Sequence, residues 1–282
     1  MNTSTHTDVL RKVESILSRA GIRDATRDAL AIVITARRLT DMANYAMCAL
    51  AMAAERAEGM PLGYLTGSVR FMDLELLTAP GTVVPREETE LLGWTALNVL
   101  SRAAADVELR VIDMCCGSGN LVCGIVSRQP NVRAWAVDLS DDAVRATQAN
   151  VERLQLSHCV EVVQSDLFTK LRGLERTVDV IVCNPPYISS AQLDRYRADL
   201  LQHEPRAAFD GGPYGLSIFQ RVVREAPDFL KPGGTLLFEV GLAQDHNVSL
   251  LFERTVLYEP VIAVNDREGA MRVLAGRTRP PN

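Results

Sequence analysis

The sequence predicts an α/β fold, a mostly parallel sheet preceded by a small helical domain. Three observations predict it. From about residue 85 onward, apolar strand-like runs alternate with helical patterns, the order in which a chain lays down a parallel sheet. Residues 8–60 read as helices. A glycine-containing loop, Gly117-Ser118-Gly119, joins the end of one strand to the start of a helix, where the backbone can approach a ligand closely.

Taken in order, Val9, Val13, Ile16, Leu17 and Ala20 recur at helical spacing, and Gly21 stops the run. Asp24 to Arg38 and Asp41 to Glu58 give two further helical stretches. The Met/Ala stripe of the second is read as core packing. Residues 61–84 read as a linker with a short hairpin. Leu109 to Met114 is a short strand carrying Asp113, and a helical pattern follows from Leu121 to Val126. A second strand, Val132 to Val137, ends at Asp138; a third, Val160 to Val163, leads into Ser165-Asp166-Leu167. The fourth, Val178 to Cys183, ends at Asn184. Pro232-Gly233-Gly234 is expected as a turn before a strand from Thr235 to Val240. Two late strands, near Val256–Val264 and Ala270–Ala275, flank a hairpin-like turn at Asn265 to Gly269. The expected organisation is therefore 1–60 as a helical domain, 61–84 as linker and hairpin, and 85–282 as the main domain.

Composition bounds the function. At 282 residues and 47% hydrophobic, the chain can bury a good core. A net charge of −5 gives no general pull toward nucleic-acid backbones. The six cysteines form no CxxC pair and the four histidines are scattered, so no metal site is expected. Free cysteines in apolar runs suit a reducing, cytoplasmic home. The opening residues 1–7 lack a signal-peptide pattern, and no apolar run approaches a membrane span.

The chemistry is carried by strand ends. Asn184-Pro185-Pro186-Tyr187 must leave its strand as a rigid loop, because two prolines forbid helix and further sheet pairing. Such a loop suits gripping a planar NH2 group. The Asn184 oxygen and the Pro185 carbonyl accept its two N–H bonds, and the Tyr187 ring stacks on its face. Asn-Pro-Pro is equally an ordinary strand-ending turn. Beside it, Asp113, Asp138 and Asp166 mark three further strand ends, which line the ligand crevice of an open parallel sheet. The dinucleotide fingerprint fails, since Val122 stands where its third glycine belongs. Carboxylates there would repel a pyrophosphate. They fit S-adenosylmethionine, whose ribose diol, α-ammonium, sulfonium and adenine amine carry no phosphate. Asp138 is expected on the ribose, and Asp166 or its neighbour Leu167 on the adenine amine. Cys115, Gly117, Gly119 and Leu139 lie in the same strand-end loops.

Several segments together resemble one family, the HemK-type protein-(glutamine-N5) methyltransferases that modify peptide chain release factors. Pro61-Leu62-Gly63-Tyr64-Leu65-Thr66-Gly67 is similar to the family's linker, and Val84-Pro85-Arg86-Glu87-Glu88-Thr89-Glu90 to its PRxxTE segment. Asn184 to Ile188 matches its catalytic loop; Glu204-Pro205-Arg206, Asp210-Gly211-Gly212 and Gly215-Leu216 match the signature after it. Phe238-Glu239-Val240-Gly241 with Gln244 completes the set. The resemblance implies a class I S-adenosylmethionine-dependent methyltransferase, Rossmann-like, with a mostly parallel seven-stranded sheet. It also implies that Asn184, Pro185 and Tyr187 are catalytic, that Arg86, Thr89 and Glu90 close over the methionine part of the cofactor, and that the acceptor is a release-factor glutamine. Three departures point elsewhere: Cys115-Cys116 replace smaller residues, Phe71-Met72-Asp73 lacks a glycine, and Tyr214 stands where the family has Asp. These motivate a runner-up acceptor behind the release-factor glutamine, a small molecule such as a free amino acid with a guanidino or amide nitrogen. A nucleic-acid amino methyltransferase ranks third, because no target-reading domain is recognisable.

Overall fold

The structure, a computed structural model, describes residues 6–41, 43–104, 107–196 and 200–280. Most of the opening segment read for a targeting signal, residues 1–5, lies outside them. The chain divides into two compact units, one of Met1–Val69 with Thr78–Pro80, the other of Arg70–Leu77 with Gly81–Asn282.

The first unit holds α1 (His6–Arg19), α2 (Ala25–Leu39), α3 (Tyr45–Ala57) and a short α4 (Leu62–Thr66). Val9, Val13 and Leu17 of α1, Ile32 and Val33 of α2, and Ala49, Met52 and Ala53 of α3 form one buried cluster. The Met/Ala stripe is thus partly core, although Met47 is exposed. Asp24 caps α2 by accepting the Arg27 N–H at 3.3 Å, supplying one of the acceptors that helix starts lack. Asp28 of α2 is almost fully buried and is neutralised by Arg56 of α3 at 3.0 Å. The helix α4 falls where only a linker was expected. The chain leaves this unit within β1 (Ser68–Phe71), which forms a two-stranded sheet with β2 (Leu74–Leu77).

The second unit continues with α5 (Glu90–Leu100), β3 (Leu109–Met114), α6 (Asn120–Val126), β4 (Val132–Asp138), α7 (Asp141–Arg153), β5 (Val160–Gln164) and β6 (Val178–Cys183). After these come α8 (Ser190–Tyr196), α9 (Ser217–Glu225), β7 (Leu230–Glu239), α10 (Asp245–Thr255), β8 (Ile262–Asn265) and β9 (Met271–Arg277). The seven-stranded sheet runs β5-β4-β3-β6-β7-β9-β8. β3 to β7 pair in parallel, and β9 runs antiparallel to both its neighbours. Central strands carry unbroken apolar runs, such as Val180-Ile181-Val182 and Leu236-Leu237-Phe238, because both faces are covered: Val111, Ile112, Val180, Ile181, Leu236 and Leu237 are fully buried or nearly so.

Two expected boundaries move. Pro232-Gly233-Gly234 lies inside β7 rather than before it, where a register shift between Val178 and Val180 marks a bulge that accommodates it. The strand expected from Val256 begins only at Ile262, because α10 runs to Thr255 and Val256 caps it in a left-handed conformation. No helix of the described residues is long and apolar enough to cross a membrane.

Candidate active site

The strand order reverses between β3 and β6: β4 and β5 continue to one side, and β7, β9 and β8 to the other. A crevice opens at the carboxyl ends of strands at such a switch point. The register pairs Met114 with Cys183. The loops 115–119 and 184–187 therefore leave the sheet side by side.

The first loop turns through left-handed conformations at Cys115, Gly117 and Gly119. Three elements hold it. Asp138, at the end of β4, accepts the Gly117 N–H through Oδ2 and the Ser140 N–H through Oδ1, both at 2.9 Å. From α7, Thr147 Oγ1 donates to the Gly117 carbonyl and Asn150 Nδ2 to the Ser118 carbonyl, both at 3.0 Å. Asp113, fully buried, accepts the Val122 N–H at 3.0 Å and so ties down the first turn of α6. Burial pushes the Asp113 carboxyl up to about 7, with the nearby charge of Asp138 adding to the effect. Burial also raises Asp138, against the backbone N–H groups that favour its anion.

The residues present fit a cationic ligand without phosphate. Asp138 offers a half-buried carboxylate at the mouth of the crevice, and negative charge there attracts an ammonium or sulfonium group and repels a phosphate. Asp113 Oδ1 and Ser118 Oγ are buried under the loop without a hydrogen-bond partner. The other expected cofactor residues lie at the same sheet edge in different surroundings. Leu139 is exposed and Leu167 buried. Asp166 is half-exposed and pairs with Arg221 at 2.8 Å.

The second loop is clamped by the segments that follow it. The Tyr187 carbonyl accepts from Gln244 Nε2 at 2.8 Å, and Gln244 Oε1 accepts the Gly241 N–H at 3.2 Å. Ile188 donates to the Phe209 carbonyl at 2.9 Å and receives the Gly211 N–H at 2.8 Å. Asp210 accepts from Ser190 Oγ at 2.7 Å and from the Gly212 N–H at 3.0 Å. Ser190 above all, helped by the Gly212 N–H and Arg206, holds the Asp210 carboxyl below its ordinary range. Gly215, at φ 70°, packs so closely that a Cβ would lie 2.3 Å from the Tyr187 oxygen. Motifs separate in sequence thus form one support for the 184–187 loop.

Asn184 is half-buried and Pro185 buried. The Asn184 Nδ2–H donates to Thr89 Oγ1 at 3.1 Å. In the same segment, Arg86 pairs with the buried Glu204, whose other oxygen accepts the Val84 N–H at 2.9 Å. Glu90 accepts the Met72 N–H at 2.7 Å. Glu90 therefore ties down backbone directly, Arg86 does so through Glu204, and Thr89 meets Asn184. The Tyr187 phenol sits near Glu239 and Arg272, and burial raises its pKa. Tyr214 is 84% exposed. Cys116 is buried against Thr147, at 3.4 Å.

Sequence reasoning missed Thr147, Asn150 and Arg272. Each acts on residues about 30 or more positions away, and no local pattern announces such a contact. Among the described residues, no three His, Cys, Asp or Glu side chains are grouped to hold a metal ion.

The chain is similar to known proteins in sequence and in fold. The profile of the methyltransferase small domain matches residues 95–253. The release factor glutamine methyltransferase of Geobacter sulfurreducens is 34% identical over 226 residues, 80% of this chain and 76% of that protein. That of Moorella thermoacetica is 36% identical over 217 residues, 77% of this chain and 75% of that protein. Among solved structures, a methyltransferase from Pyrococcus furiosus matches with a TM-score of 0.50 at 16% identity, covering 73% of this chain and 89% of that one; this is a likeness of fold.

Proposed function

The chain belongs to the release factor glutamine methyltransferase family, and from that premise we propose that it methylates the side-chain amide nitrogen of a glutamine in a peptide chain release factor. It is an S-adenosylmethionine-dependent methyltransferase. One observation carries the assignment of the site: the 115–119 and 184–187 loops emerge side by side from β3 and β6, at the point where strand order reverses.

S-adenosylmethionine, when bound, supplies a methyl group on a sulfonium centre. Asp138 would hold its ribose hydroxyls, and Asp166 or its neighbour Leu167 its adenine amine. The backbone of Cys115, Gly117 and Gly119, with Leu139 beside them, lines its path. Asp113 acts through the loop that it ties to α6, and Arg86 and Glu90 act through the backbone that they secure. An amide nitrogen is a poor nucleophile because its lone pair is delocalised. Asn184 Oδ1 and the Pro185 carbonyl accept its two N–H bonds and turn the lone pair toward the methyl, while Tyr187 stacks on the amide plane. Holding two reactants in attack geometry is worth up to ~7–11 kcal/mol, and accepting both N–H bonds favours the positive charge that develops on nitrogen. The helical N-terminal domain, residues 1–60, helps choose the acceptor, and the enzyme works in the cytoplasm beside its substrate.

The alternative of a compact small-molecule acceptor rests in part on Tyr214. Its exposure at 84% gives such an acceptor no buried wall there. The test is transfer of labelled methyl from S-adenosylmethionine to purified release factor, with mass spectrometry to locate the label, beside a panel of free amino acids. Label on a glutamine amide of the release factor is the expected result. Label only on amino-acid-sized acceptors would overturn the proposal.

A further inference from the structure

A primary amide has two ends, and only one serves this reaction. If Asn184 presented Nδ2 to the acceptor, two donors would face each other and the acceptor would not be held. What chooses the end lies behind Asn184. Thr89 is 2% exposed, and its Oγ1 receives the Asn184 Nδ2–H. Glu239, at the end of β7, is 4% exposed, and its Oε2 has no hydrogen-bond partner. Its carboxylate is stabilised by the neighbouring Thr89 hydroxyl and by Arg272 of β9, whose guanidinium lies 3.6 Å from Oε1.

We propose that Thr89 and Glu239 are positioning residues that fix the Asn184 amide with Oδ1, rather than Nδ2, toward the acceptor. The argument is one of donor inventory. A hydroxyl has a single proton. A carboxylate can only accept, so Thr89 gives its proton to Glu239. Its oxygen is then left only lone pairs toward Asn184, and the amide must point Nδ2 at it. A neutral carboxamide or carboxylic acid at 239 removes this compulsion. It can donate to Thr89, whose own proton is then free to turn to Asn184 Oδ1 and draw the wrong end backward. The inference rests on the assignment of Asn184 to the acceptor, and its test carries one readout independent of any acceptor.

Protonation of Glu239 should have the same effect as its substitution. Burial pushes that carboxyl above its ordinary range, and Glu88 adds in the same direction, while Thr89, Arg272 and Tyr187 oppose the rise. The competent form is the anion, so kcat should fall as pH falls through the raised pKa.

The experiment compares wild type with Thr89→Ser, Thr89→Val and Glu239→Gln, each checked for an unchanged melting profile. Calorimetry gives cofactor Kd, and kcat and KM are measured with the acceptor that wild type methylates. Thr89→Ser keeps the hydroxyl and should keep kcat within about threefold. Thr89→Val and Glu239→Gln should lower kcat roughly 10–100-fold, the scale of a misplaced reacting group, with cofactor Kd within about twofold. Glu239→Gln should also lose the acidic limb of the wild-type kcat profile. Independently of activity, nitrogen-15 NMR of the Asn184 side chain should show one slowly exchanging amide proton in wild type and Thr89→Ser, and none in Thr89→Val. Failure of wild type to methylate a glutamine would refute the proposed substrate while leaving this signal to judge the positioning. Full kcat in Thr89→Val, an acidic limb that survives in Glu239→Gln, a parallel loss of cofactor affinity, or an unprotected Asn184 amide in wild type would each overturn the inference.

Discussion

Replacing Gly215 with alanine tests whether the support behind the 184–187 loop matters to turnover. Gly215 sits at φ 70°, and an added Cβ would lie 2.3 Å from the Tyr187 oxygen and 2.9 Å from Gln244 Nε2. A left-handed conformation costs alanine about 1–2 kcal/mol. The overlap adds to this, because the Tyr187 carbonyl is already held by Gln244 at 2.8 Å and cannot retreat without breaking that bond. Overpacking of this kind costs about 1–3 kcal/mol, so the sum is roughly 2–5 kcal/mol. Gly173 provides the control. Its φ is +83°, but a Cβ there would meet nothing within 4 Å, so Gly173→Ala should cost only the backbone strain, about 1–2 kcal/mol. Denaturant unfolding would give both stabilities, and labelled-methyl transfer both turnover numbers. The expectation is a kcat loss on the order of 100-fold for Gly215→Ala, as for a displacement near 1 Å, and none for Gly173→Ala. Equal stabilities in the two variants, or unimpaired kcat in Gly215→Ala, would refute the reasoning.

Further predictions follow from the same contacts. Asp138→Ala should weaken cofactor binding by about 1–3 kcal/mol, the cost of losing a charged hydrogen-bond partner; calorimetry on the folded variant checks it. Asn184→Ala should leave cofactor affinity nearly unchanged and reduce kcat sharply, because its proposed partner is the acceptor. Asp113 gives a pH dependence of stability. Its folded pKa, about 7, stands above the ordinary 3.8, so the folded state holds a proton that the unfolded chain gives up. The stability is fully present below pH ~4 and is lost as pH rises to ~7, by roughly 4 kcal/mol. Asp113→Asn should flatten that slope in melts recorded across this range. In the N-terminal unit, Arg56→Met strands the buried Asp28 with only the exposed Arg27 as a cationic neighbour. It should destabilise that unit by about 3–5 kcal/mol, visible as early loss of hydrogen-exchange protection in α2.

The strands of the sheet centre were legible because burial on both faces leaves a continuous apolar run. β3 and β6 match the expected Leu109–Met114 and Val178–Cys183. The edge strand β8 was less so: it has a largely exposed face, and its start could not be separated from the end of α10. Pro232-Gly233-Gly234 carries turn residues, yet only pairing with β6 and β9 shows that a bulge absorbs them. At the site, residue identity singled out the polar groups at the strand ends but not the wiring. Asp113 and Asp138 look alike as strand-end acids, but one is sealed beneath a loop and the other stands at its mouth. The pairing of Arg86 with Glu204 spans 118 positions. Such contacts exist only after the sheet has brought its strand ends together.

The place of β9 in the sheet has a consequence for the order of assembly. Although β9 follows β8 in the chain, it lies between β7 and β8, so β8 has no ladder to join until the later strand has docked. The same strand brings Arg272 to Glu239. Closing this non-local edge is a slow kind of step, and a folding intermediate that holds β3 to β7 in parallel would already possess both ligand loops. It would still lack the guanidinium that steadies the carboxylate behind them, so cofactor binding should recover during refolding before catalytic turnover does.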